Sequence, residues 1–411
     1  MDNIPMSAPD ISRIEQQTLS RVLQTRHLSL GPYLEQFEQA VAAYTGSRYA
    51  IAVNSGTSGL HLAVIAAGVQ AGDWVITSPF SFIASANCVM YERAVPVFVD
   101  VEAATGNLDP ALVAEAACDL TRGGAAAQRW LPRSLKQSSN GHPKSNIQHL
   151  KSILPVHAFG QPAEMAPLLA TAQQHRLAVI EDACEAIGAD YRGHRAGSLG
   201  DAAVFAFYPN KQLTTGEGGL IVTDRADWAD LFRSLRNQGR DVFNAWLSHT
   251  RLGYNYRLDE MSAALGLAQM QRIDELLAKR ARVAGWYNER LAGLDWVERP
   301  FIAASTSRMS WFVYVIRLKA PLLRDTVMQQ LAGRGIPSRP YFTPIHLQPF
   351  YQQQFGYQRG DFPVTEHLGD VSLALPFSGV MTADQVDRVC TVLTEVAQSQ
   401  AVRRPVFSAG H

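Results

Sequence analysis

Three stretches of this chain carry side chains able to do chemistry, and each follows an apolar run. Val53-Asn54-Ser55-Gly56-Thr57-Ser58-Gly59 is a small-residue turn opening onto a helical pattern. Main-chain N–H groups at a helix start, the helix dipole and the hydroxyls can together hold a phosphate; the same serines and threonine also serve as ordinary N-caps. In Val179-Ile180-Glu181-Asp182-Ala183-Cys184-Glu185 an apolar run meets acids. Asp182 there can act as a base, bind a metal or cap the following helix. Val204-Phe205-Ala206-Phe207-Tyr208-Pro209-Asn210-Lys211 ends on a lysine, followed by Thr214-Thr215-Gly216-Glu217-Gly218-Gly219. Taken alone, a lysine is a solvated surface residue.

Taken together, the three stretches match the needs of pyridoxal 5′-phosphate (PLP). That cofactor needs a phosphate cradle, an amine that forms a Schiff base with its aldehyde, and a carboxylate that keeps the pyridine nitrogen protonated. Residues 54–59, Lys211 and Asp182 fill these roles. A partly desolvated amine beside a cationic ring loses its proton more readily, as a nucleophile must. Gly216, Gly218 and Gly219 let main chain pass close by without a Cβ.

The elements that must position these groups are short β-branched runs alternating with helical stretches. The runs are 50–53, 74–77, 95–99, 152–156, 177–180, 202–207 and 220–223, with helical patterns such as Gly59 to Ala67 and Met165 to His175 between them. This predicts a buried, mostly parallel sheet covered by helices, an α/β domain. Ligands of such sheets sit beyond the carboxyl ends of the strands, where all three stretches fall. Residues 121–145 break the pattern and read as a polar, breaker-rich surface excursion. A long helix is expected over Asp259 to Leu291, then a strand over Trp311 to Leu318 and a helix over Leu322 to Arg334, forming a smaller C-terminal α+β domain. We place the division between 1–275 and 276–411.

Composition narrows the function classes. The chain has 411 residues, 47% of them apolar, enough for two domains with large cores. Thirty-seven Lys and Arg balance 37 Asp and Glu, so no net field favours nucleic acid or an anionic membrane. The four cysteines are widely spaced, which points to neither a zinc motif nor a disulfide scaffold and fits a reducing cytoplasm. Met1 to Asp10 has neither the basic start nor the apolar stretch of a signal peptide, and no apolar run has membrane-spanning length.

Several motifs in register carry a family resemblance. They are Ser55-Gly56-Thr57, Thr77-Ser78-Pro79-Phe80-Ser81-Phe82-Ile83-Ala84, Pro96-Val97-Phe98-Val99-Asp100, Pro155-Val156-His157-Ala158-Phe159-Gly160, Glu181 to Ala186, Lys211 to Gly219 and Gly253-Tyr254-Asn255-Tyr256-Arg257. From about Leu28 to about Pro376 the chain resembles the DegT-type sugar aminotransferases of PLP fold type I. The resemblance implies a large sheet domain with a smaller C-terminal domain. It implies a ping-pong transfer of an amino group from glutamate to a nucleotide-linked keto-6-deoxy sugar, in polysaccharide biosynthesis.

Residue by residue, the resemblance assigns Lys211 to the Schiff base and Asp182 to the ring nitrogen. Glu185 approaches the ring hydroxyl, Phe82 stacks on the ring, and Gly56 and Thr57 hold the phosphate. Asn255 reaches the phosphate of a neighbouring subunit, implying a homodimer with shared active sites, and His346 lies near the sugar nucleotide. The motifs around residues 80–87 and 206–211 are most like perosamine-synthase-type enzymes, which favours amination at C4 over C3. Ala206 departs from the family pattern, which often has a phosphate-binding serine there. Two other readings are a non-catalytic PLP-binding regulator and a sugar 3-dehydratase. Against the first, the chain has no appended basic helix-turn-helix segment and every catalytic position is filled. Against the second, dehydratases replace the lysine by histidine. A cysteine desulfurase would need a mobile thiol, whereas Cys390 sits in an amphipathic helical stretch.

Overall fold

The computed structural model describes residues 4–136, 149–240 and 248–402, with side chains described to residue 400. Seven strands form the main sheet: β1 (Tyr49–Val53), β2 (Trp74–Thr77), β3 (Val95–Phe98), β4 (Leu150–Leu154), β5 (Ala178–Asp182), β6 (Ala202–Ala206) and β7 (Gly219–Thr223), in the order β1-β7-β6-β5-β4-β2-β3. All seven expected runs are strands. Pairings from β3 across to β6 are parallel, while β7 is antiparallel to both β6 and β1. Two reversals restore direction, so β1, β2, β4, β5 and β6 all present their carboxyl ends at one edge.

The sheet is buried on both faces, and the period of two sorts its side chains. Ile51, Val53, Val204 and Ile221 pack with Leu60, Val64, Trp228 and Phe232. Ala50, Ala52, Ala203, Phe205, Leu220 and Val222 pack on the other face with Phe37, Val41 and Met270. The helix Gly56–Ala66 therefore lies against β6 and β7 with its first turn at the carboxyl edge.

A second sheet joins β8 (Val297–Glu298), β9 (Tyr314–Leu318), β10 (Arg339–Pro340) and β11 (Ser372–Leu375), all antiparallel, in the order β8-β9-β11-β10. Its core unites Val283, Tyr287, Tyr314, Val327, Val389 and Leu393, and it also takes in Ile4. Ile4 thus packs with the second sheet. Asp10 and Glu15 then bond Arg272.

Two expectations need correction. The helix predicted over Asp259 to Leu291 is two helices, Glu260–Met270 and Ile273–Arg290. The break falls where Arg272 turns to Asp10, Glu15 and Glu275, a long-range tie that periodicity does not report. The excursion at 121–145 is helical and packed as far as Lys136, with helices Gly124–Gln128 and Arg133–Lys136. Ala127 and Leu131 are buried in a cluster with Tyr351 and Phe355, and Trp130 Nε1 donates to Asp119 at 3.0 Å. Alanine-rich sequence and aromatic cover outweigh the glycine pair. The rest of that excursion, from 137, lies outside the described residues.

Candidate active site

A cleft of 810 Å³ opens at the carboxyl edge of the main sheet, between it and the segment that follows β10. Ser55, Gly56 and Thr57 after β1, Ser81 and Phe82 after β2, Asp182 at the end of β5 with Glu185 after it, and Lys211 after β6 all line it. Each strand is short and apolar, so each polar group appears where the chain leaves the sheet.

Asp182 is the last residue of β5, fixed by main-chain bonds from its N–H to Pro155 O at 2.9 Å and to its O from His157 N–H at 3.0 Å. Its carboxylate accepts from Ser85 Oγ at 2.6 Å and from the Cys184 N–H at 3.2 Å. Ser81 Oγ lies 2.7 Å from Ser85 Oγ, extending the chain of hydroxyls. Sequence reasoning assigned no role to Ser85; the signal was a pair of hydroxyls four residues apart, flanking Phe82. Burial pushes the neighbouring Cys184 thiol up, and Asp182 adds to the shift, so this cysteine stays a protonated wall residue.

Lys211 stands in a compact loop between β6 and β7, closed by Thr215 N–H to Phe207 O at 3.0 Å and Phe207 N–H to Gly218 O at 3.0 Å. Its Nζ is 3.5 Å from Glu185 Oε1 and 3.8 Å from the centre of the Phe312 ring. Glu185 also accepts from the Phe159 N–H at 2.9 Å. Burial pushes its carboxyl up from the ordinary value, against the pull of Lys211 and of the Phe159 N–H. Phe312 comes from the C-terminal unit and had no signal in the sequence.

Gly56 opens its helix against a wall. A Cβ on it would come 2.8 Å from Ala206 Cβ and 2.9 Å from Cys184 Sγ. One on Gly219 would come 2.5 Å from the Ser55 carbonyl. Main chain of β7 therefore lies close against the turn after β1; Ser55 caps the helix by accepting from Ser58 N–H at 3.1 Å. Phe82 is 64% exposed at the cleft, with a ring free to stack.

The structure does not bring the remaining two residues to the cleft. Asn255 is exposed on the segment bridged to Asn237, outside the lining of its own chain's cleft. His346 corrects the sequence expectation: its side chain is 0% exposed, and Nε2 lies 3.0 Å from Glu366 Oε1. The turn Ile345–Leu347 directs this ring inward against Phe362, while Ile345 and Gln348 line the cleft.

Residues 9–394 match the DegT/DnrJ/EryC1/StrS aminotransferase family. The chain belongs to that family. The resemblance seen in the motifs and the α/β fold type I architecture are borne out. GDP-perosamine synthase of Caulobacter vibrioides is 40% identical over 400 residues, covering 96% of this chain and 99% of that one. The spore coat polysaccharide biosynthesis protein SpsC of Bacillus subtilis is 35% identical over 408 residues, covering 96% and 97%. Among solved structures, S. venezuelae DesV, in complex with a ketimine intermediate, superposes with a TM-score of 0.80 at 33% identity, covering 95% of each chain. As a DegT-family member this chain is an aminotransferase. Among the described residues no helix is long and apolar enough to cross a membrane, and no cluster of His, Cys, Asp and Glu is arranged to hold a metal ion.

Proposed function

We propose that this aminotransferase binds PLP in the cleft and moves an amino group from glutamate to a nucleotide-linked keto-6-deoxy sugar, at C4 in preference to C3. The observation that carries this reading is the convergence of Lys211, Asp182 and the helix start at Gly56 on one cleft. The relative named GDP-perosamine synthase supports the acceptor class, and the motifs around 80–87 and 206–211 support C4. The chemistry of the donor set fits the cofactor: the Lys211 amine, the buried Asp182 and Glu185 carboxylates, and a helix start whose main chain lies bare against the wall. When bound, PLP supplies an electron sink that stabilises negative charge at the amino-bearing carbon.

The chain's own residues divide the remaining work. Lys211 supplies the amine that attaches the cofactor and then moves a proton at the reacting carbon. Its place between Glu185 and Phe312 leaves it a nearby carboxyl to exchange that proton with. Asp182, held by Ser85 and the Cys184 N–H, would keep the proton on the cofactor's ring nitrogen. Phe82 would stack on the ring, and Ser55, Gly56 and Thr57 would offer hydroxyls and N–H groups to the phosphate. Ala206 presents only a methyl there, so the N–H groups carry more of the contact. Phe312, Phe342 and Ile345 form apolar wall that excludes water.

Lys211 is the one cationic side chain among the described residues lining this cleft, so a phosphate gains little further charge from its own subunit. We propose a homodimer in which Asn255 of each subunit completes the other's phosphate site. The same reading keeps two units, divided near 275/276, and a cytoplasmic setting.

The test is an absorbance spectrum of purified protein with PLP, before and after glutamate. A visible band that needs Lys211 and bleaches with glutamate supports the reading and leads to a screen of keto-sugar nucleotides. A band that forms equally in Lys211→Ala overturns it.

A further inference from the structure

Arg280, on the helix Ile273–Arg290, is 3% exposed, yet no carboxylate among the described residues lies within ion-pair distance of it. Among the described residues its hydrogen bonds go to carbonyls alone, and the guanidinium carbon lies 5.7 Å from the centre of the Phe377 ring. Nη1 donates to Phe312 O at 3.0 Å and Trp311 O at 3.3 Å, and Nη2 to Lys211 O at 2.6 Å and Asn210 O at 3.1 Å. Burial lowers the group to about 10, with no neighbouring charge to offset it. A buried cation without a counter-charge is a costly way to fill space, since an apolar residue of similar volume serves packing alone. Its four bonds connect two particular places: the main chain that carries the Lys211 amine, and the main chain that carries the ring 3.8 Å beneath that amine. The planar fork of arginine suits two pairs of carbonyls in a way that an ammonium does not.

We propose that Arg280 is a positioning residue for amino transfer, holding the Lys211 loop and Phe312 in the one register that sets the amine at its working place in the cleft. The inference rests on the PLP reading above. It assigns to a residue of the C-terminal unit's first helix a task carried out through Lys211, and it explains why a charge is retained where nothing neutralises it.

The experiment follows capture of PLP by the full-length protein in a stopped-flow instrument, well below the melting temperature. In this step the Lys211 amine adds to the cofactor's aldehyde, a carbon–nitrogen double bond forms and water leaves. In Arg280→Met the visible band is expected to form about 10- to 100-fold more slowly, the usual consequence of a reacting group displaced by a fraction of an ångström to an ångström. Total PLP retained after gel filtration should match wild type, because the phosphate end is untouched. Turnover should fall with the KM for glutamate unchanged. Arg280→Lys, which keeps the charge but not the fork, should not restore the rate.

Wild-type capture rates in Arg280→Met, with only a lowered melting temperature, would make the residue structural and overturn the proposal. Full rescue by Arg280→Lys would overturn the fork argument. Should Arg280→Met fail to fold, Phe312→Leu keeps the guanidinium and removes the ring; slowed capture there supports the register, and unchanged capture overturns it. Absence of a Lys211-dependent band in wild type defeats the PLP reading itself, a result distinct from any of these.

Discussion

Replacing Ser85 by alanine removes the shorter of the two hydrogen bonds that the Asp182 carboxylate accepts from the described residues, the 2.6 Å bond from Ser85 Oγ, and leaves the Cys184 N–H at 3.2 Å. A bond to a charged acceptor contributes about 1.5 to 3 kcal/mol, so about 2 kcal/mol is expected from the loss. Unfolding a chain of 411 residues carries an entropy of about 0.9 kcal/mol/K, so the melting temperature should fall by only about 2 °C. Catalysis is the sharper readout. If about two-thirds of that energy holds the carboxylate in its working place, turnover falls about tenfold, or about 1.4 kcal/mol at the transition state. Ser81 reaches Asp182 only through Ser85, at 2.7 Å from its hydroxyl. Ser81→Ala should therefore cost about 1 kcal/mol alone and almost nothing more when combined with Ser85→Ala. The assay is steady-state turnover of the four proteins of this double-mutant cycle. Unchanged turnover in Ser85→Ala would refute the orienting role. Additive losses would show instead that Ser81 acts on the cleft directly.

Three further outcomes are expected. Asp182→Asn should keep the melting temperature within a few degrees and cut turnover at least 100-fold; wild-type turnover would remove Asp182 from the reaction. Asn255→Ala should release PLP faster on dialysis, and mixed dimers of Asn255→Ala with Lys211→Ala subunits should retain one intact site; equal retention in both homodimers would argue against sharing across subunits. Burial alone would raise the Glu15 carboxyl, but bonds from Ser12, Arg272 and Gln269 hold it at about 2 against an ordinary 4.5. A depressed acid stabilises the fold above its unfolded value and loses that contribution as pH falls through 4.5 toward 2. Glu15→Gln should be less stable than wild type to urea at pH 7, with the gap narrowing by pH 3; a constant gap would disprove the linkage.

Lys211, Asp182 and the Gly56 turn were legible because each depends on a local rule: a β-branched run ends, and the next polar residue stands at the carboxyl edge of the sheet. Seven strands were legible for the same reason. The failures share the opposite property. The break at Arg272 is made by Asp10 and Glu15, more than 250 residues away. His346 lies beside two cleft residues, but Glu366 draws its ring into the core. Phe312 and Arg280 meet Lys211 only after the C-terminal unit docks. The turn-rich text between Thr121 and Lys136 concealed short alanine helices whose stability comes from Tyr351 and Phe355. Periodicity reports what a segment buries and is silent about which distant segment covers it.

The burial of Ile4 among Tyr287, Val389 and Leu393 bears on how the protein is made. A ribosome synthesising roughly 5 to 20 residues per second needs roughly 20 to 80 s to travel from Ile4 to Leu393. Until then the cluster around Ile4 lacks Val389 and Leu393, and the carbonyl partners of Arg280 near residue 312 are themselves late arrivals. The main sheet, complete by Thr223, can close well before that point, while Ile4 waits for the helix Ala383–Val402. Assembly of the surroundings of Lys211 is thereby deferred to late in synthesis, and a nascent chain stalled before residue 312 would hold the floor of the cleft without its wall.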